Sequence, residues 1–295
     1  MKVVVTGASG LIGSALVDSL RGDGHSVVRL VRRTPAAADE AQWDPAAGTV
    51  DDAAIADADA VVHLAGAGIG DRRWTPAYKK LVRDSRIDGT TTIANAVARH
   101  AYQVKVLVSG SAIGWYGDRG DDVLTESEPV GSGFLAELVH EWEACTAAAS
   151  VVGVRVVKVR TGIVLAPRGG ALGRMLPIFK LGLGGRLGSG RQWFSWISLG
   201  DEVAALRYAI DHELRGPVNL TAPEPVTNRE FTATLGKALY RPAVAAVPRF
   251  ALRVALGEFA DEGVLASQRV MPTALLDAGF AFQHNTLDTA LEAIL

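Results

Sequence analysis

Apolar residues along the first half of the chain fall into two alternating patterns, short unbroken runs and longer runs at helical period. Val3, Val4 and Val5 form a β-branched run, as expected of a central parallel strand buried on both faces, and Leu11, Ile12, Ala15, Leu16 and Leu20 then recur at helical spacing. The alternation continues with strands at 25–31 and 58–64, then a helix opened by the cap and first-turn pair Thr75-Pro76 that reaches about Arg99. A strand at 104–108, a helix at about 134–150 and a strand at 154–160 follow. Residues 34–57, around Trp43-Asp44-Pro45, show little periodicity and read as a small helix with loops, and the acidic stretch 118–133 reads as a solvated loop. This order predicts an α/β fold, a Rossmann-type doubly wound parallel sheet over residues 1–165. Beyond it the alternation weakens and Pro, Gly and Arg accumulate, so residues 166–295 read mostly as a smaller C-terminal substrate lobe. Later strands near 196–221 are expected to return to the sheet, and Thr227 with Glu230 resembles a capping box.

The chemistry concentrates at strand ends. Gly7, Gly10 and Gly13 follow the first strand as G-x-x-G-x-x-G, where a side chain at the first two would keep the backbone away from a pyrophosphate. The turn leads into a helix N-terminus, whose free N–H groups and dipole favour phosphate. The predicted dinucleotide contacts are Gly7, Ser9, Gly10, Leu11, Ile12 and Gly13, with Leu64, Ala65 and Gly66 from a second glycine-rich strand end. The second strand ends in Arg32-Arg33 where an NAD site would carry an acid, so the expected cofactor is NADP(H). Ser111 and Tyr116, after the strand at 104–108, are the candidate catalytic residues. Arg168, Arg174, Lys180, Arg186 and Arg191 punctuate a glycine-rich segment that either closes over a phosphate-bearing substrate or forms loops with solvated cations.

Composition narrows the classes. The chain has 295 residues, 48% of them hydrophobic, and a net charge of −2, with no electrostatic footprint for nucleic acid or a membrane surface. Cys145 is the only cysteine, so no disulfide joins the chain to itself and a reducing compartment is expected. The six histidines show no metal-ligand spacing, so no metal is expected. Met1 leads directly into the first strand, and no apolar run reaches about 18 residues; the expectation is a soluble cytoplasmic protein.

The sequence is similar to the short-chain dehydrogenase/reductase superfamily, in its extended NAD(P)-dependent epimerase/dehydratase branch. The resemblance is carried by TGASGLIG at 6–13, HLAGAGI at 63–69, SRIDGTTTI at 85–93, VSGSAIGWYG at 108–117, RTGIVLAP at 160–167 and WISLGDEVAALRYAI at 196–210. WDPAAG at 43–48, RRWT at 72–75 and the tail after Pro248 resemble a subgroup labelled "epimerase family protein". The resemblance implies hydride chemistry on a sugar nucleotide or similar small polar substrate, and often a homodimer. It also implies a Tyr-x-x-x-Lys acid–base pair with a Ser or Thr holding the substrate oxygen. Ser111 matches the serine, but Phe134 and Leu138 stand where the pair should be, and Arg86 replaces the Asn ahead of Gly89-Thr90, making it a further cofactor-site candidate. Two readings follow. Either the proton comes from Tyr116, Glu137 or His140, with charge from Arg86 or Lys79, or the chain binds NADP(H) as a non-catalytic sensor or interaction protein.

Overall fold

The computed structural model describes all 295 residues. Its centre is β1 (Lys2–Thr6), flanked by β2 (Ser26–Val31) on one side and β5 (Ala60–His63) on the other, all parallel. Beyond β2 lie β3 (Glu40–Asp44) and an antiparallel edge, β4 (Thr49–Val50). Beyond β5 lie β6 (Val106–Ala112) and the parallel strands Arg155–Thr161 and Gly216–Leu220, making eight in all. The strand order reverses at β1, which opens a crevice at the carboxyl ends of β1 and β5.

The three valines of β1 serve two layers because strand side chains alternate. Val3 and Val5 join Leu16 and Leu20 of α1 (Leu11–Gly22) on one face. Val4 meets Ile93 and Val97 of α3 (Pro76–Arg99) on the other, beside Ile55 of α2 (Asp52–Ala56). Thr75 caps α3 by accepting the Tyr78 N–H at 3.1 Å, with Pro76 in the first turn. The predicted helix at 134–150 is two pieces, α4 (Phe134–Ala144) and α5 (Ala147–Val151).

Two loop readings need correction. Within 34–57 the segment Glu40–Asp44 is a strand: Ala41 and Trp43 turn inward and extend the sheet past β2. The acidic stretch 118–133 is not wholly solvated, because the Glu126 carboxylate accepts the N–H groups of Asn219 at 3.0 Å and Ala274 at 3.1 Å.

The C-terminal part has a core of its own. Leu172, Leu176 and Phe179 of α6 (Gly170–Lys180) pack with Trp196, with Phe231 and Leu235 of α8 (Asn228–Ala238), and with Leu287 and Leu291. α7 (Leu199–Asp211) belongs instead to the sheet, its Leu206 and Ala209 packing under α1. Thr227 and Glu230 form a reciprocal capping box on α8. No helix is long and apolar enough to cross a membrane.

Candidate functional site

The two glycine-rich strand ends form one cradle. Gly7 has φ +68°, and a Cβ built there would lie 2.8 Å from the carbonyl carbon of Leu64; one built on Gly13 would lie 2.2 Å from the Gly7 oxygen. The Gly10 N–H donates to the Gly7 oxygen at 2.9 Å and closes the turn. Gly10 is the N-cap of α1 and brings no side chain, so the first N–H groups of that helix face outward into the crevice. A phosphate at this place would meet backbone donors and the positive end of a helix dipole. Thr6 ties the cradle together: its hydroxyl oxygen accepts from the N–H of Leu64 at 3.1 Å and Ala65 at 3.2 Å, and the hydroxyl shares a hydrogen bond of 2.8 Å with His63 Nδ1.

Arg86 lies under the second strand end. It is buried, its Nη1 donates to the carbonyls of Ala67 at 2.9 Å and Val82 at 3.1 Å, and its guanidinium stacks 5.0 Å from the Trp142 ring. Burial lowers its pKa to about 10, and no carboxylate pairs with it. Gly7, Gly10, Gly13, Leu64, Ala65, Gly66 and Arg86 thus converge, with Ser9, Leu11 and Ile12 at the mouth.

One strand away, Arg32 and Arg33 end β2 differently. Arg33 is held by Glu40 through contacts of 2.8 and 2.6 Å, and it keeps that carboxyl at about 2 with help from the Ala36 N–H. Asp39 is clasped by Arg29 at 2.7 and 2.9 Å and also paired with Arg21. Arg32 is exposed and takes no part in these pairs. Both nearby acids are neutralised, leaving Arg32 as the free cation at the strand end.

Ser111 and Tyr116 belong to a separate buried network. Ser111 Oγ donates to Glu143 Oε1 at 2.6 Å, and Arg160 holds the same carboxylate at 2.8 and 3.1 Å. Arg160 reaches the Tyr116 hydroxyl at 3.2 Å, and that hydroxyl donates to Asn219 Oδ1 at 2.7 Å. Tyr116 is fully buried, and burial raises its pKa further. This hydroxyl is engaged on both sides, donating to Asn219 and accepting from Arg160. Glu143, Arg160 and Asn219 escape sequence reasoning; for Glu143 and Arg160 the one available signal is a charge among apolar neighbours, and the uncharged Asn219 offers none.

At the family's acid–base positions the structure is apolar. Leu138 is buried with Trp74, Tyr78 and Val82, and Phe134 meets Trp74 edge-on at 5.2 Å. The Lys79 ammonium sits 4.7 Å from the Phe134 ring and pairs with Glu258, while Glu137 and His140 are exposed on α4.

Two other buried groups make stability depend on pH in opposite directions. Burial raises Glu202, which accepts from Thr161 Oγ1 at 2.9 Å, from 4.5 to about 8, and burial lowers His63 from 6.5 to about 3. Between pH 4.5 and 8 the folded state holds the extra Glu202 proton, so stability falls as pH rises. Between pH 6.5 and 3 the unfolded state holds the extra His63 proton, so stability falls as pH drops. The effects offset between 4.5 and 6.5, where the melting temperature should be flat, declining on either side. Glu202→Gln should remove the alkaline decline and the offset with it, so that the melting temperature climbs from pH 4.5 to 6.5 and stays level above. A melting temperature that rises from pH 6.5 to 8 in the unaltered protein would contradict this assignment.

A model of the NAD dependent epimerase/dehydratase family matches residues 3–221, and one of a domain of unknown function (DUF1731) matches 247–294. An epimerase family protein of Mycobacterium leprae is 52% identical over 290 residues, covering 98% of this chain and 94% of that protein. The crystal structure of the human epimerase family protein SDR39U1 (isoform 2) with NADPH superimposes with a TM-score of 0.89 at 34% identity, covering 100% and 99% of the two chains. That of a nucleoside-diphosphate sugar epimerase from Corynebacterium glutamicum gives 0.82 at 37% identity, covering all of this chain and 58% of the other.

Proposed function

Because the chain belongs to the NAD-dependent epimerase/dehydratase family, we propose that it is an NADP(H)-binding protein that works without the family's Tyr–Lys proton step. The glycine turn and the N-terminus of α1 would hold the pyrophosphate and Arg32 the 2′-phosphate, while Arg86 supports the second strand end from beneath. Bound NADPH would supply a hydride. The observation that carries the reading is the packing of Phe134 and Leu138 into an aromatic and aliphatic cluster: neither residue can pass a proton, and the lysine beside Phe134, Lys79, is already paired with Glu258. The structure of the human relative with NADPH supports the cofactor. A reducing, cytoplasmic compartment fits a chain whose only cysteine is Cys145.

A second reading, an oxidoreductase or epimerase acting on a sugar nucleotide or another small phosphate-bearing molecule, is favoured by a polar cleft. It has a volume of about 320 Å³, and its lining combines the cations of Arg191 and Arg249 with the carboxylates of Asp118 and Asp121 and the polar Gln192 and Ser267. In that reading the proton passes through Ser111 or Tyr116, beside the charge of Arg160.

Binding followed by nicotinamide fluorescence tests both readings. Arg32→Ala should weaken NADPH about tenfold and NADH hardly at all, the loss of one charge-assisted phosphate contact. Arg33→Ala should do less, because that side chain is already held by Glu40. Equal losses for the two dinucleotides would refute the NADP preference. Reduction of NADP+ by a UDP-sugar, its carbinol carbon giving up a hydride and its hydroxyl a proton, that vanishes in Ser111→Ala or Tyr116→Phe with NADPH affinity kept would replace the first reading by the second.

A further inference from the structure

The N-terminus of α6 rests on the glycine turn. A Cβ on Gly169 or Gly170 would lie 3.7 or 3.3 Å from the methyl groups of Leu11, the first residue of α1. Within its second turn Arg174 crosses to the loop after β5, donating to the Gly70 oxygen at 2.7 Å and pairing with Asp71 at 2.6 Å. The Asp71 carboxylate folds back on Gly68, where a Cβ would stand 2.0 Å from its oxygen. Arg73 extends the tie by donating to the Val254 oxygen at 2.6 Å, and Phe259 packs 5.4 Å from Trp74 in the same loop. A bridge therefore runs from one glycine-rich strand end to the other.

We propose that this bridge is a latch over the dinucleotide, and that the Asp71–Arg174 pair must part for NADP(H) to enter or leave. The inference rests on the cofactor assignment above. Three features suit a latch rather than a fixed wall. The Asp71 and Arg174 side chains are 58% and 62% exposed, so the pair forms and breaks in water at little cost. The bridge begins at two successive glycines with positive φ, +78° at Gly169 and +59° at Gly170, a backbone able to absorb a swing. The bridge also connects the separately packed C-terminal core to the cradle.

Stopped-flow fluorescence of NADPH with the full chain is the test. Arg174→Ala and Asp71→Asn should each speed both association and release about fivefold while leaving Kd within about twofold, as loss of an exposed pair allows. Without cofactor, amide exchange across 66–74 should quicken in both variants. Unchanged rates would overturn the latch. So would faster release matched by an equal loss of affinity, which would make Arg174 a direct ligand of the cofactor. If the unaltered protein binds no NADP(H), the cofactor assignment and the latch fall together; binding with unchanged rates removes the latch alone.

Discussion

Gly13→Ala is expected to lower NADPH affinity about a hundredfold while the fold survives. The added methyl would stand 2.2 Å from the Gly7 oxygen and 2.8 Å from its carbon, both backbone atoms with no rotamer to escape into. Relief requires the turn to move by about 1 Å, a displacement that costs on the order of a hundredfold where positioning matters. The turn cannot move toward β5, since Gly7 already faces Leu64 at 2.8 Å by the same measure. Gly22→Ala, at the other end of α1 with nothing within 4 Å of the new methyl, serves as the control and should leave binding unchanged. Affinity within about threefold in Gly13→Ala, against the hundredfold argued above, would show that the turn does not carry the dinucleotide.

Glu143→Ala is expected to cost about 3–5 kcal/mol of stability, the range found when one partner of a buried pair is removed. Both side chains are almost fully enclosed, 4% exposed for Glu143 and 3% for Arg160. Removing the carboxylate leaves a buried guanidinium with the Tyr116 hydroxyl, the Glu126 carbonyl and the Trp115 and Tyr116 rings but no counter-charge, and it strands the Ser111 hydroxyl. Replacing both partners together, Glu143→Leu with Arg160→Met, should cost much less than the sum of the single losses. Urea denaturation measures all three. A single loss under about 1 kcal/mol would mean that water reaches the pair.

What could be read from the amino acids is what repeats locally. Val3 to Val5, the glycine turn and the helix behind it are contiguous, so spacing alone locates the cradle. Glu40–Asp44 escaped because five residues with two inward side chains make too short a pattern, and β2 decides its state. The paired networks are legible least of all. Glu126 looks like one more acid in a polar loop, yet it accepts N–H groups from Asn219 and Ala274, far along the chain. Tyr116 presents a similar case: its place after a strand end suggests reactivity, and only the arrival of Asn219 and Arg160 encloses its hydroxyl.

The late return of Gly216–Leu220 to the sheet bears on how the chain is made. Until that strand pairs with Arg155–Thr161, the first 165 residues end in a bare, valine-rich parallel edge, a template for association with other chains. During synthesis that edge stays open while more than 50 residues of the second lobe emerge. The lobe is therefore also an internal guard for the nascent sheet, and the chain has no safe place to be cut between the two.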